Sequence, residues 1–218
     1  MLRLFSRLAA LATAALLVGC AAPQHKNVDY TAFRESKPAS ILVLPPLNAS
    51  VEPAATAAVL SLATLPLAES GYYVVPVAVM DETFKQNGMD SADDIHALAP
   101  QRLRDIFGAD AALYMTVKDY GVRYQVVQST VTVAIDAHLI DLRTGARLWE
   151  GSTSIAMGPS QSGGGIIGML VQAVIDQVAN NLQDRSYGVA DIANRSLLSA
   201  GTGGGLLYGP RSPHYATQ

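Results

Sequence analysis

The 218-residue chain contains one cysteine, Cys20, and the residues before it point to a defined chemistry. Cys20 closes the tetrapeptide Leu17-Val18-Gly19-Cys20, behind an apolar run over residues 8–18 and a basic start with two arginines. A basic start, a short apolar run and a small residue before a cysteine are typical of a bacterial lipoprotein signal. The thiol of Cys20 is then the predicted acceptor of diacylglycerol, and acyl chains such as palmitate stabilise membrane attachment by about 0.8 kcal/mol per buried methylene.

The same segment predicts a location. Its apolar run is shorter than the roughly 20 residues that cross a bilayer, so residues 1–19 are predicted to be a removed signal rather than a membrane span. Ala21 follows the cysteine, whereas an aspartate there retains bacterial lipoproteins in the inner membrane. We therefore expect the outer membrane, with the domain facing the periplasm.

The loop over residues 158–165 leaves two alternatives open. Its segment Ser160-Gln161-Ser162-Gly163-Gly164 approaches the nucleophile pattern G-x-S-x-G but lacks the first glycine. A small envelope serine hydrolase would use Ser162, followed in the chain by Asp184 or Asp191 and then by His214. A strand-to-helix loop rich in glycine can also cradle an anion, yet no lysine completes the phosphate-binding pattern, so a periplasmic ligand binder remains the second alternative.

The remaining titratable residues give no pattern for a metal or cofactor, and we predict neither. The histidines are spread over the chain, with no cysteine beside them, at His25, His96, His138 and His214. Asp136 and His138 fall on one predicted strand face, which we interpret as solvated or partner-facing. The net charge of −3, without a block of like charges, excludes the basic footprint of nucleic-acid binding.

Three tyrosines are candidates for a contact surface. Tyr114, Tyr120 and Tyr124 lie at even spacings, so an uninterrupted strand would place them on one face. Exposed tyrosines favour protein interfaces; the alternative is that they lie under a helix.

Hydrophobic periodicity predicts the order β-α-β-α-β-β-β-α. The fold class that follows is a single α/β domain, a mixed β-sheet with helices packed on it. Strands are predicted over 41–44, 72–75, 113–117, 130–139 and 147–155, and helices over 53–69, 91–107 with a break near Pro100, and 167–185. The predicted divisions are a signal peptide (1–19), a lipidated N terminus and tether (20–38), the domain (39–199) and a Gly/Pro-rich flexible tail (200–218).

Several segments carry a family resemblance. Besides the residues before Cys20, they are Ile41-Leu42-Val43-Leu44-Pro45-Pro46, Pro66-Leu67-Ala68-Glu69-Ser70-Gly71-Tyr72-Tyr73-Val74, and Asp141-Leu142-Arg143-Thr144-Gly145-Ala146-Arg147-Leu148-Trp149. Together they resemble the outer-membrane lipoprotein family typified by a neisserial surface antigen. The resemblance implies a fold similar to the periplasmic domain of the curli channel lipoprotein and to the amino-terminal domain of the Tol translocation protein.

That family brings no catalytic residues to transfer, so we expect a protein that is not an enzyme and acts by protein–protein interaction in the cell envelope. The resemblance implies envelope proteins as partners, among them a curli-channel-like lipoprotein, and self-association is a further expectation. The membrane itself is the remaining predicted partner, through the lipid anchor.

Overall fold

The computed structural model describes residues 28–124, 129–158 and 182–218. The elements in these ranges are α1 (Thr31–Ser36), β1 (Ser40–Val43), β2 (Leu47–Asn48), α2 (Ala55–Glu69), β3 (Tyr73–Val74), α3 (Val77–Gln86), α4 (Ala92–His96), α5 (Pro100–Phe107), β4 (Ala111–Tyr124), β5 (Ser129–Asp141), β6 (Arg147–Met157), α6 (Leu182–Leu198) and a 3₁₀ turn (Tyr215–Thr217). The signal segment, Cys20 and most of the 158–165 loop, including Ser162, lie outside the described residues.

The strands form one mixed sheet in the order β3-β1-β4-β5-β6, with β2 paired beside β4. Strand β1 is parallel to both β3 and β4, while β4, β5 and β6 are antiparallel neighbours. Parallel neighbours need crossover connections, which α2 and the later helices supply, whereas antiparallel neighbours need only hairpins. The structure confirms the predicted mixed α/β fold.

The two faces of the sheet are covered by different helices. The larger core packs alternate residues of β1, β4 and β5 against α1, α2 and α6; its members include Phe33, Ile41, Val59, Leu113, Ile135, Leu139, Ala193 and Leu197. The smaller core packs the opposite face of β1 and the start of β4 against α3, α4 and α5, and includes Leu42, Leu44, Met80, Phe84, Ile95, Leu103 and Tyr114. Among residues 28–124, 129–158 and 182–218, helices therefore cover the second face only near β1.

The chain on either side of the predicted domain is packed against it. Residues up to 38 were expected as a tether, but the structure forms α1 there and buries Phe33 to 3% exposure in the larger core. Residues 200–218 were expected as a loose tail; instead Leu206 is 1% exposed and the Tyr72 hydroxyl donates to the Leu207 carbonyl at 2.5 Å. These contacts correct the two expected boundaries for the part of the chain that the structure describes.

Glycines make the packing of this C-terminal segment, residues 199–218, possible. Gly71 has φ +97°, and a Cβ added there would lie 2.5 Å from the Ser212 nitrogen. A Cβ on Gly209 would lie 2.5 Å from the Gly71 oxygen, and the Gly209 N–H donates to the Ser70 carbonyl at 2.8 Å. The two backbones meet because neither glycine has a side chain.

Helix α2 ends where the sequence predicts, whereas α3 and α6 differ from the predictions. Helix α2 continues through Pro66 to Glu69. A proline in the final turn removes only one backbone hydrogen bond, close to the helix end where the last carbonyl groups have no partner within the helix. Helix α3 was not predicted, although Met80 and Phe84 stand four residues apart and are both buried. The final predicted helix ended near Arg185, whereas the described part of α6 runs to Leu198.

Candidate interaction surface

The antiparallel half of the sheet has one accessible, polar face. Along β5 and β6 the residues that point away from the larger core remain partly or fully exposed. Cross-strand register places Asp136 beside Ser152 and His138 beside Glu150. We call this surface the open face; its residues are Thr116, Thr132, Ala134, Asp136, His138, Glu150, Ser152 and Ser154.

Charges of both signs on or beside the open face neutralise one another. The Lys118 ammonium lies 3.7 Å from the Asp136 carboxylate, and the Arg147 guanidinium lies 2.8 Å from the Glu150 carboxylate. All four side chains are more than half exposed, so each pair contributes little to stability. The described residues contain no group of three or more metal-ligating side chains.

A stack of three rings bounds the open face where the smaller core begins. The ring of His138 lies parallel to the ring of Tyr114, with 5.1 Å between their centroids. The ring of His96 in α4 packs edge-on against Tyr114, also with 5.1 Å between the centroids. The His96 Nε2 lies 2.9 Å from the Pro45 carbonyl oxygen. Burial lowers the pKa of both histidines, and for His138 the charges of Arg147 and His96 lower the pKa further.

A cavity of about 710 Å³ opens where the open face meets the start of β6. Its other walls come from residues beside α1 and from the C-terminal segment: Val28, Asp29, Gly203 and Gly204. The Trp149 Nε1–H donates to the Gly204 carbonyl at 3.0 Å and joins β6 to that segment. Its indole ring covers Gly151, where a Cβ would collide with it, so this position of the ring requires a glycine in the strand.

Strand β6 ends the sheet, and among the described residues it pairs only with β5. An edge strand presents N–H and C=O groups that have no ladder partner. Near Trp149 this edge is flanked by Val28 and Gly204, whereas Ser152 and Ser154 further along are exposed. The open face and this edge therefore form one continuous polar surface with backbone groups available for pairing.

The expectation that the tyrosines share a face is wrong for Tyr114 and Tyr120. The register between β4 and β5 shifts between Val117 and Asp119, and this bulge leaves Lys118 as an extra residue that inverts the alternation. Tyr114 consequently belongs to the smaller core and Tyr120 to the larger one, at 7% and 6% exposure. Tyr124 lies at the end of β4, beyond the described side chains.

The structure separates most of the other sequence candidates. Asp191 accepts hydrogen bonds from the Arg195 Nε, and the His214 ring packs against Tyr208 at 5.1 Å. Asp136 pairs with Lys118 rather than with His138. Sequence reasoning treated the histidines as unrelated, because the proximity of His96 and His138 arises only when α4 crosses the sheet.

The buried carboxylate of Asp141, a residue noted from the sequence only within a segment of the family resemblance, holds α1 to the β5–β6 hairpin. Asp141 is 1% exposed and accepts from the Ser36 hydroxyl at 2.5 Å and from the Arg143 Nη2 at 3.0 Å. The backbone N–H groups of Arg143 and Thr144 donate at 2.7 and 3.0 Å. Burial alone would raise the pKa of Asp141, but these hydrogen bonds outweigh it and hold that pKa far below its usual range.

Comparison with known proteins decides the family. The family model described as "Putative lipoprotein GNA1162-like" matches residues 28–211. The chain belongs to this family. A relative named "Putative lipoprotein NMB1124/NMB1162" from Neisseria meningitidis serogroup B is 50% identical over 201 residues, covering 92% of this chain and 94% of the relative. The resemblance stated from the sequence is thereby confirmed.

A solved structure at 53% identity agrees with the fold. The crystal structure of lipoprotein GNA1162 from Neisseria meningitidis is 53% identical, has a TM-score of 0.56 and covers 66% of this chain and 100% of its own. A PelC dodecamer from Paraburkholderia phytofirmans is 15% identical with a TM-score of 0.45, covering 73% of this chain and 86% of its own. That similarity is too low to bear on function. Neither the family description nor the relative's name carries a catalytic activity.

Membership of a lipoprotein family implies a membrane-anchored protein of the cell envelope. Within the described ranges, no helix is both long and apolar enough to cross a bilayer.

Proposed function

We propose that this protein is an outer-membrane lipoprotein, lipidated at Cys20 and facing the periplasm, that binds other envelope proteins and catalyses no reaction. The observation that carries the binding role is the open face together with the outer edge of β6. The opposite face of the sheet is buried under α1, α2 and α6, whereas this polar surface is exposed and can contact a partner. Membership of this chain in the lipoprotein family supports the lipid anchor.

The anchor rests on the chemistry of the cysteine. Lipid transfer to the Cys20 thiol would consume the chain's single thiol, and several acyl chains are needed for stable attachment. Labelled palmitate supplied to cells should appear in the wild-type protein and be absent from Cys20→Ala. Equal labelling of the two proteins would refute the assignment, and the Ser162→Ala variant is the matched control that should label normally.

The binding mode follows from the edge. An incoming strand can pair with the outer edge of β6 through backbone hydrogen bonds, while Ser152, Ser154 and Asp136 supply side-chain contacts on the open face. Candidate partners are a second copy of this chain and a curli-channel-like lipoprotein. A surface of paired charges and hydroxyl groups suits contacts that form and dissociate, since such interfaces are less apolar than permanent ones.

Site-specific crosslinking tests this surface. A photoreactive residue placed at Ser152 in the lipidated protein should give crosslinked products in intact membranes, including one of twice the monomer mass if copies associate. The matched position is Gln101, which is exposed on α5, and it should give none. The proposed surface is excluded if Ser152 gives no product, or if the two positions crosslink equally.

A further inference from the structure

A second cavity, of about 280 Å³, lies between α1 and the C-terminal segment. We call it the basal cavity and define it by Arg34, Lys37, Tyr208 and Tyr215, which are among its lining residues. Gln218 closes this cavity through two hydrogen bonds to Tyr208. Its Oε1 accepts from the Tyr208 N–H, and its Nε2 donates to the Tyr208 carbonyl. Two cations and two phenol rings thus meet in one concave site.

The two cations of the basal cavity are available to a ligand. Arg34 and Lys37 are exposed, and neither takes part in an ion pair among the described residues. Other arginines behave differently: Arg143 is paired with Asp141 and Arg195 with Asp191. An arginine fork beside a lysine is a combination that binds the oxygens of a phosphate.

The backbone at Lys37 is an independent indication. Lys37 ends α1 in the left-handed conformation, with φ 47° and ψ 55°, and its N–H donates to the Phe33 carbonyl at 3.0 Å. It is the one non-glycine with positive φ among the described residues. Glycine is the usual residue at this position because a Cβ is disfavoured there. A strained backbone that keeps a lysine side chain at a cavity points to a role for the ammonium group.

Chain length places this side of the domain close to the anchor. Eight peptide units connect Cys20 with Val28, and they span at most about 28 Å. Helix α1 adds about 9 Å along its axis. A domain of this size is about 40 Å across, so the lipid anchor holds the end that carries Val28 and α1, together with the cavity beside Val28, toward the bilayer. This step rests on the proposed lipidation of Cys20.

We propose that the basal cavity binds the phosphate of an anionic phospholipid headgroup and seats the domain on the membrane that holds its anchor. Arg34 and Lys37 bind the phosphate oxygens, and Tyr208 and Tyr215 present amphipathic rings at the depth where such rings are stable.

Headgroup quenching tests the proposal in the lipidated full-length protein. Because lipid occupies the thiol of Cys20, a dye can be attached uniquely in Glu35→Cys on α1, or in Gln101→Cys on α5, which packs on the opposite face of the sheet. Vesicles contain phosphatidylcholine with or without one-fifth phosphatidylglycerol, and carry nitroxide on a headgroup. We expect strong quenching at position 35, dependent on phosphatidylglycerol, and little at position 101.

Charge removal supplies the decisive comparison. Each cation near an anionic surface contributes about fivefold to binding, so Arg34→Ser with Lys37→Ser should weaken the phosphatidylglycerol dependence by about 25-fold. Arg102→Ser with Lys85→Ser removes the same two residue types from α5 and α3 and should leave the quenching unchanged. Equal quenching in both lipid mixtures, or equal effects of the two double variants, would overturn the proposal.

Two further arms separate the possible sources and roles. Lys37→Gly should raise the unfolding temperature while weakening the quenching, which a purely structural lysine would not do. Millimolar inorganic phosphate that abolishes quenching would assign the cavity to a free phosphate and refute the lipid assignment. If the chain fails to float with vesicles of phosphatidylcholine alone, the anchor proposal fails instead. In that case the chain carries no lipid. Its flotation with vesicles that contain phosphatidylglycerol would still support the basal cavity as a lipid site, and no flotation with those vesicles would refute that site.

Discussion

Replacement of the buried carboxylate in Asp141→Asn tests whether that charge holds α1 to the sheet. The amide oxygen can still accept from the backbone N–H groups of Arg143 and Thr144, but the amide nitrogen cannot accept from the Arg143 Nη2 or from Ser36. A hydrogen bond to a charged group contributes about 1.5–3 kcal/mol. We expect a loss of about 3 kcal/mol at pH 7, equivalent to a fall of about 9 °C in the unfolding temperature.

The pH dependence of that loss has a defined sign. The folded-state pKa of Asp141 is lowered, so its stabilisation is complete above the unfolded pKa of about 3.9 and decreases as the pH falls below it. Urea unfolding followed by circular dichroism at pH 7 and pH 3 measures both differences. The control Asp136→Asn, whose carboxylate is half exposed, should cost less than about 1 kcal/mol. A loss that is equal at both pH values, or no larger than in the control, would refute the reasoning.

Three further predictions concern packing and protonation. Gly71→Ala should destabilise the protein by more than about 3 kcal/mol and expose the C-terminal segment to proteolysis, because the added Cβ meets backbone; Gly88→Ala, with φ +74° and nothing within 4 Å, should cost only about 1 kcal/mol. Leu206→Ala should cost about 2–4 kcal/mol in urea unfolding because the side chain is buried, whereas Val51→Ala, at 99% exposure, should change nothing measurable. His138 has a lowered folded-state pKa, so its neutral form favours folding above about pH 6.5 and that contribution is lost as the pH falls; His138→Phe should therefore reduce the drop in unfolding temperature between pH 7.5 and pH 5, and an unchanged drop would contradict this.

Sequence patterns predicted the fold where each pattern depends on local periodicity. The alternation in β5 follows directly from one buried and one accessible face, and it also indicated the exposed side of Asp136. The early aliphatic strand at 41–44 and the helix over 53–69 required crossovers, which led to the mixed sheet. These features are encoded within a few neighbouring residues.

The parts that sequence reasoning missed depend on contacts between distant segments. The sequence of β4 does not indicate the bulge at Lys118, because a regular strand is equally compatible with its residues. The sequence does not indicate that Gly71 and Gly209 contact each other. That contact explains why the C-terminal segment packs against the domain instead of forming the predicted flexible tail. The basal cavity likewise requires α1 and residues near 208–218 to meet, which the spacing of the sequence does not indicate.

The bulge in β4 has a consequence for how relatives of this protein are aligned. Before Lys118 the odd-numbered residues face the larger core, and after it the even-numbered residues do. Substitutions tolerated at one end of the strand will therefore follow the opposite phase at the other end. A relative that lacks the extra residue should be aligned with a gap at position 118 rather than with a continuous match. The gap aligns the relative's buried residue with the buried Tyr120.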